Sequence, residues 1–217
     1  MKAKIFSTRN FQTIQELCTQ CAINSRMIGL IGYPGAGKTI GLQYYKRNRI
    51  DVIYTTVRKT MSSKNFYLDV LNALGFEGEA VNVSLHQIMN MIVRKINAHP
   101  TKILLIIDEA GKFKPGQLEY IHELRDQTSH KMGIILAGPE YFYDNIYEWK
   151  EKKVIGIPEV FRRIHTFHTL EYPQKDEIKQ IANEYGIEDK NLIKNLYNRV
   201  GSFDELTKEI EKIIQDN

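Results

Sequence analysis

Residues 32–39 read Gly32-Tyr33-Pro34-Gly35-Ala36-Gly37-Lys38-Thr39, the spacing G-x-x-x-x-G-K-[ST] of a phosphate-binding loop, with Ile40 next in the chain. Glycines let backbone N–H groups turn inward around an anion, and a helix starting at the loop adds partial positive charge at its N-terminus. Lys38 can reach the β and γ phosphates of a nucleoside triphosphate, and the Thr39 hydroxyl can ligand Mg²⁺. The expected nucleotide-binding set is Gly32, Tyr33, Pro34, Gly35, Ala36, Gly37, Lys38, Thr39 and Ile40.

A second signal is Ile103-Leu104-Leu105-Ile106-Ile107-Asp108-Glu109. An apolar strand ending in two acids sets one carboxylate beside a metal and a second where it can polarise water for attack on a γ phosphate. Asp108 joins Thr39 as the metal-side candidate, and Glu109 joins Lys38 as the catalytic one. Two acids at a strand end would, alone, be an ordinary solvated terminus. About seventy residues beyond a phosphate loop and two strand–helix units on, they read as its partner.

Arg58, Lys59, Thr60, Ser62, Ser63 and Lys64 mix cations with small hydroxyl donors, the set that contacts nucleic-acid phosphates without reading sequence. Lys112, Lys114, Lys150, Lys152 and Lys153 are weaker additions. An exposed basic loop without a ligand is the competing reading. The formal net charge of +4 is unevenly spread: from Glu171 onward 7 basic and 11 acidic residues give −4, which leaves +8 for the chain before it. A basic front part permits a polyanionic partner, although a nucleotide site alone also favours positive charge.

Cys18 and Cys21 form a lone C-x-x-C. It could be a redox pair or half of a zinc site, but nothing else completes four ligands. Phe11, Ile14, Leu17, Cys18, Cys21 and Ala22 recur at helical spacing, which favours one apolar helix face.

These residues need elements to hold them. Apolar runs at Met27 to Ile31, Val52 to Val57, Ile103 to Ile107, Gly133 to Ala137 and Thr166 to Leu170 read as short strands, several with the near-continuous apolar character of strands buried on both faces. Between them, Leu85, Ile88, Met89, Ile92 and Ile96 mark one helix, and Leu118, Ile121 and Leu124 another. The alternation predicts an α/β fold with a five-stranded, mainly parallel sheet between helices. After Tyr172-Pro173 the strand signal stops, and Asp176 to Tyr185, Asp189 to Val200 and Ser202 to Ile214 read as three helices, with Ser202 and Glu205 placed for a capping box. The expected organisation is a leading segment at 1–26, an α/β core at 27–171 and a small all-helical lid at 172–217.

The phosphate loop, the strand ending in Asp108-Glu109 and the helical tail together resemble an AAA+ ATPase over nearly the whole length. Within that group, GLIGYPGAGKTIGLQYYKRNRIDVIYTTVRKTMSSKNFYLDVLNALG is similar to the phage Mu transposition protein B (MuB) family of target-selecting transposition ATPases. With only about 25 residues ahead of the first strand, the N-terminal DNA-binding domain of familiar MuB proteins is expected to be absent. The resemblance implies that subunits complete one another's sites with an arginine. Phe161-Arg162-Arg163-Ile164 lies where that finger is found, with Arg163 the first choice and Arg162 the second. Two solvated or DNA-facing arginines are the other reading. The strand at Gly133 to Ala137 lacks the usual polar sensor at its end, and the lid segment Gly201 to Leu206 carries Asp204 and Glu205 where many relatives have a phosphate-reaching arginine. Slow hydrolysis, or ATP as an assembly signal, is expected.

At 217 residues, 42 % hydrophobic and 26 % charged, the composition is that of a globular protein and excludes disordered and collagen-like classes. No apolar run approaches a membrane span and no secretory signal opens the chain, so a cytoplasmic location is expected. The function expected is an ATP- and Mg²⁺-dependent ATPase that forms rings or filaments of identical subunits on double-stranded DNA and delivers that DNA to a transposase. A helicase loader or remodeller, and a nucleotide-gated signalling or defence switch that ignores DNA, are the alternatives.

Overall fold

A computed structural model of the chain describes residues 4–76 and 83–215; residues 1–3 of the leading segment and 216–217 of the lid lie outside the described residues. The chain opens with α1 (Arg9–Asn24), β1 (Met27–Ile31), α2 (Lys38–Lys46), β2 (Val52–Thr56) and α3 (Ser63–Ala73). It continues with α4 (Leu85–Ala98), β3 (Ile103–Asp108), a 3₁₀ turn (Ala110–Lys112), α5 (Pro115–Gln127) and β4 (Met132–Gly138). The last part holds α6 (Glu140–Glu151), α7 (Ile157–Arg163), β5 (Ile164–Thr169) and then α8 (Lys175–Glu184), α9 (Lys190–Arg199) and α10 (Phe203–Gln215).

The sheet has the order β2-β3-β4-β1-β5, and all four pairings are parallel. Parallel pairing demands a crossover between successive strands and covers the sheet with helices, so the inner strands β3, β4 and β1 are buried along their whole length, while the edge strands β2 and β5 are only partly buried and carry polar residues. Alternation then sorts each strand between two cores. Ile103, Leu105 and Ile107 of β3 face one core with Phe66, Tyr67, Val70 and Leu71 of α3 and the apolar side of α4. Leu104 and Ile106 face the other, with Ile14, Leu17, Cys18 and Cys21 of α1 and Leu42 and Tyr45 of α2. Each fully buried Ile, Leu, Val or Phe among them contributes about 1.5–3 kcal/mol by leaving water. The cysteines are buried free thiols on the apolar face of α1, and burial raises both thiol pKa values. No group of three or more His, Cys, Asp or Glu that could hold a metal occurs among the described residues.

The lid helices close on a third core built from Ile178, Ile181, Leu196, Leu206 and Ile210. Its last helix starts where expected, but the capping box is only half made. The Glu205 amide donates to Ser202 Oγ at 3.1 Å, while the Glu205 carboxylate accepts from the Gly201 amide at 2.7 Å, one residue beyond the box position. The segment ahead of α1 and the first residue of that helix are tied to this lid. Phe6 packs on Tyr185 with centroids 5.6 Å apart, Lys4 pairs with Glu184 at 3.0 Å, and Arg9 pairs with Asp176 and Glu177. No helix among the described residues is long and apolar enough to cross a membrane.

Candidate nucleotide site

Because every strand points the same way, the loops that follow β1, β2, β3 and β4 gather on one rim of the sheet, where α/β proteins bind ligands. The Gly32 to Thr39 loop connects β1 to α2 on this rim. Its turn needs left-handed backbone at Gly35 (φ 83°) and Gly37 (φ 87°), conformations a side chain would strain. At Gly35 a Cβ would also sit 2.9 Å from Ser202 Oγ and 3.0 Å from Asp204 Cβ, so the start of α10 lies directly on the loop. Asp204 there pairs with Lys208 at 2.6 Å.

Lys38 folds back onto its own loop and donates to the carbonyls of Gly32 at 2.5 Å and Tyr33 at 3.0 Å. Burial lowers its pKa, opposed by Asp108, Glu109 and Glu140. Thr39 Oγ1 donates to Asp108 Oδ2 at 2.7 Å, which joins the two metal-side candidates across the β1–β3 gap. Asp108 is buried, and its Oδ1 accepts from the Glu109 amide at 2.8 Å. The hydroxyl and carboxylate form a hard, all-oxygen donor pair of the kind Mg²⁺ takes together with phosphate oxygens and water. Residue types and placement therefore fit that ion.

Sequence reasoning missed Tyr54. From β2 its hydroxyl donates to the same Asp108 Oδ2 at 2.7 Å, burial pushes its pKa up to about 12, and Gln43 Nε2 donates to it at 3.4 Å. The strand register pairs Thr56 with Asp108, so Tyr54 lies two residues back on the neighbouring strand. A tyrosine in a β-rich stretch reads as packing, and nothing in one sequence aims its hydroxyl at a carboxylate 54 residues away.

Glu109 stands in left-handed backbone (φ 58°). For a non-glycine residue this costs of order 1–3 kcal/mol and persists only where the surroundings enforce it. Here the Asp108–amide bond and the following 3₁₀ turn do so. The Glu109 carboxylate is half-exposed and pairs with Lys112 at 3.1 Å.

Asn10 was also missed. It is buried; its Nδ2 donates to Ala36 O in the loop at 3.3 Å and to Glu171 O at 2.8 Å, and its Oδ1 accepts from the Glu171 amide at 3.0 Å. Tyr33 donates to the same Glu171 carbonyl at 3.1 Å and stacks on Tyr172 with centroids 4.3 Å apart. One side chain thus links the phosphate loop to the junction between sheet and lid.

The family model for the AAA domain matches residues 23–146, more than half of the chain. The chain belongs to the AAA domain family. No curated protein sequence gives a significant match. Among solved structures the AAA chain is similar to the Aeropyrum pernix ORC2 protein in ADPNP–ADP complexes (TM-score 0.71, 12 % identity, 98 % of this chain and 64 % of that one). It is also similar to the A. pernix ORC1 protein in complex with DNA (TM-score 0.66, 12 %, 94 % and 58 %) and to Cdc6p from Pyrobaculum aerophilum (TM-score 0.63, 15 %, 85 % and 51 %). These likenesses show a shared fold. The chain spans between about half and just under two thirds of their lengths.

The two arginines at the end of α7 differ in surroundings. Arg163 makes a two-pronged pair with Asp126 of α5, Nε to Oδ1 at 2.8 Å and Nη2 to Oδ2 at 2.7 Å, and holds that carboxyl below its usual pKa. Arg162 is exposed, and its side chain has no hydrogen bond or ion pair among the described residues. Around the β2–α3 loop, Arg58, Lys59 and Thr60 are exposed, Ser62 is the N-cap of α3 (its Oγ accepts from the Asn65 amide at 3.2 Å), and Lys64 lies partly buried in the first turn.

Lys38→Ala should weaken ATP binding at least several-fold, since charge-assisted hydrogen bonds are worth about 1.5–3 kcal/mol. Calorimetry checks this. An unchanged affinity in a folded variant would remove Lys38 from the phosphate site.

Proposed function

We propose that this chain is an ATPase that oligomerises, binds double-stranded DNA without sequence preference, and selects or delivers that DNA to a transposase in the cytoplasm. The phosphate loop takes ATP, with Lys38 on the β and γ phosphates. Thr39 and Asp108 would hold Mg²⁺, which when bound would neutralise charge on the phosphates. Tyr54 and the Glu109 amide fix the Asp108 carboxylate, and Glu109 orients and deprotonates the attacking water. Arg163 or Arg162 reaches a neighbour's γ phosphate, so turnover depends on assembly. The core at 27–171 carries the chemistry and the lid at 172–217 closes over it.

The DNA part rests on one observation: the basic loop after β2 stands on the same rim as the phosphate loop and beside the loop after β3. Phe66 of α3 packs edge-on against Phe113 with centroids 5.2 Å apart, and Gln117 Nε2 donates to Met61 O at 3.4 Å. Arg58, Lys59 and Lys114 have no acidic partner among the described residues. A nucleotide-driven change at Asp108-Glu109 therefore has a short path to cations available for phosphate binding. A loader or remodeller acting on DNA is the second reading, favoured by the similar fold of ORC1, a protein solved in complex with DNA.

Replacing Arg58, Lys59 and Lys64 together by Ala should weaken binding alike on unrelated duplexes. It should also flatten the plot of log K against log salt by about 0.9 for each phosphate that the variant no longer neutralises. ATP should strengthen binding of the unsubstituted chain, because assembly aligns many weak loops along one duplex. A triple variant with unaltered ATPase activity, assembly, DNA affinity and salt slope would defeat the assignment. Capture of a transposase or of a helicase by the ATP-bound chain separates the two readings.

A further inference from the structure

On the face of the sheet covered by α1, a solvent-open cavity of about 130 Å³ lies between the second half of α1 and the edge strand β5. Its polar lining is Gln20, Arg26, His165, Thr166 and His168, over an apolar floor from α1 and β1. Every one of these five side chains can donate a hydrogen bond: a guanidinium, an amide, a hydroxyl and two imidazoles, each ring carrying at least one N–H in either tautomer. No carboxylate lines the cavity. None of the five side chains makes a hydrogen bond or ion pair among the described residues.

The local backbone explains how they converge. Along β1 the register steps two residues, from Met27 to Gly29, while β5 steps three, from Ile164 to Phe167. The extra residue is a bulge, a device that re-aims side chains. In a regular strand His165 and His168 would face opposite sides of the sheet; with the bulge both line the α1 side. Arg26 enters from the link between α1 and β1. The carbonyl of Cys21 at the end of α1 is already capped by the amides of Ser25 and Arg26, so it does not take up the donors.

We propose that this cavity is a binding site for a small phosphate-class oxyanion, either free phosphate or a phosphate monoester. Arg26 supplies the charge, and Gln20, Thr166 and the two histidines supply the remaining donors. Occupancy would brace α1 against β5, the strand that runs from Arg162-Arg163 at one end to the Glu171-Tyr172 junction at the other.

The test is a titration of the full chain, saturated with ADP so that the phosphate loop is filled, with inorganic phosphate and separately with glycerol phosphate. The reporters are the imidazole carbon-bound proton resonances of His165 and His168. Saturable shifts of both are expected, and the titrant that binds more tightly identifies the source. Arg26→Ala should weaken the response at least about ten-fold while leaving ADP affinity unchanged, since its guanidinium bonds to nothing else among the described residues. Arg26→Lys, which keeps the charge, should retain part of it. No saturable shift at millimolar titrant, or a shift undiminished in Arg26→Ala, overturns the site.

Discussion

Glu109→Gln should bind ATP as tightly as the unsubstituted chain and hydrolyse it at least about a hundred-fold more slowly, because a positioned general base contributes typically 10²–10⁴ in rate. Size and hydrogen-bonding capacity are kept and only the basic oxygen is removed. The backbone argues for this residue over its neighbours: Glu109 is held in left-handed conformation by the amide bond to Asp108, which swings its side chain out of the strand while Asp108 stays buried. Lys112, 3.1 Å away, forms a half-exposed pair worth at most about 1 kcal/mol, so it can release the carboxylate when a nucleotide enters. ATP-bound assemblies of the variant should accordingly outlast those of the unsubstituted chain. Phosphate release and calorimetry on the same preparation decide it. Hydrolysis at the unsubstituted rate would show that Glu109 does not polarise the water.

What the sequence alone conveys follows from how local each signal is. The phosphate loop and the acids at the end of β3 are contiguous motifs whose spacing reflects one turn or one strand end, and β1, β3 and β4 are apolar runs because inner parallel strands are buried on both faces. Strand ends moved by only a few residues: β5 begins at Ile164 rather than Thr166, since its first residues pair with β1 through the bulge, which periodicity does not register. Tyr54, Asn10 and Asp126 were out of reach for a different reason. Tyr54 meets Asp108 across a strand pair, Asn10 meets Glu171 across 161 residues, and Asp126 meets Arg163 where α5 and α7 pack. Each is an ordinary polar residue in its own segment, and only the register of the sheet and the packing of helices bring it to its partner. Ser62 and Lys64 show the converse: a basic, hydroxyl-rich string reads as one loop, yet its second half is the cap and first turn of α3.

Arg163→Ala should leave ATP binding by isolated subunits unaltered and lower hydrolysis by the assembly at least about a hundred-fold, since arginine fingers supplied in trans contribute 10³–10⁵ in rate. The pair with Asp126 does not stand against this role. Both partners are more than a third exposed, at 37 % and 39 %, and pairs at that exposure are worth about 0.2–1 kcal/mol, less than charge-assisted bonds to a γ phosphate in a closed interface. Asp126 is then a resting place that keeps the fork extended at the end of α7, with His122 Nε2 3.3 Å from the same carboxylate. Asp126→Asn should change the rate only a few-fold. Mixing Arg163→Ala subunits with Lys38→Ala subunits gives the decisive reading, because an intact Lys38 site beside an intact Arg163 arises only at junctions between the two kinds. Some activity should return, with a maximum at intermediate ratios. If none returns while mixed assembly is verified, Arg163 does not act in trans. The same mixing with Arg162→Ala then tests its exposed neighbour, which has no partner to leave among the described residues and the same strand end to reach from.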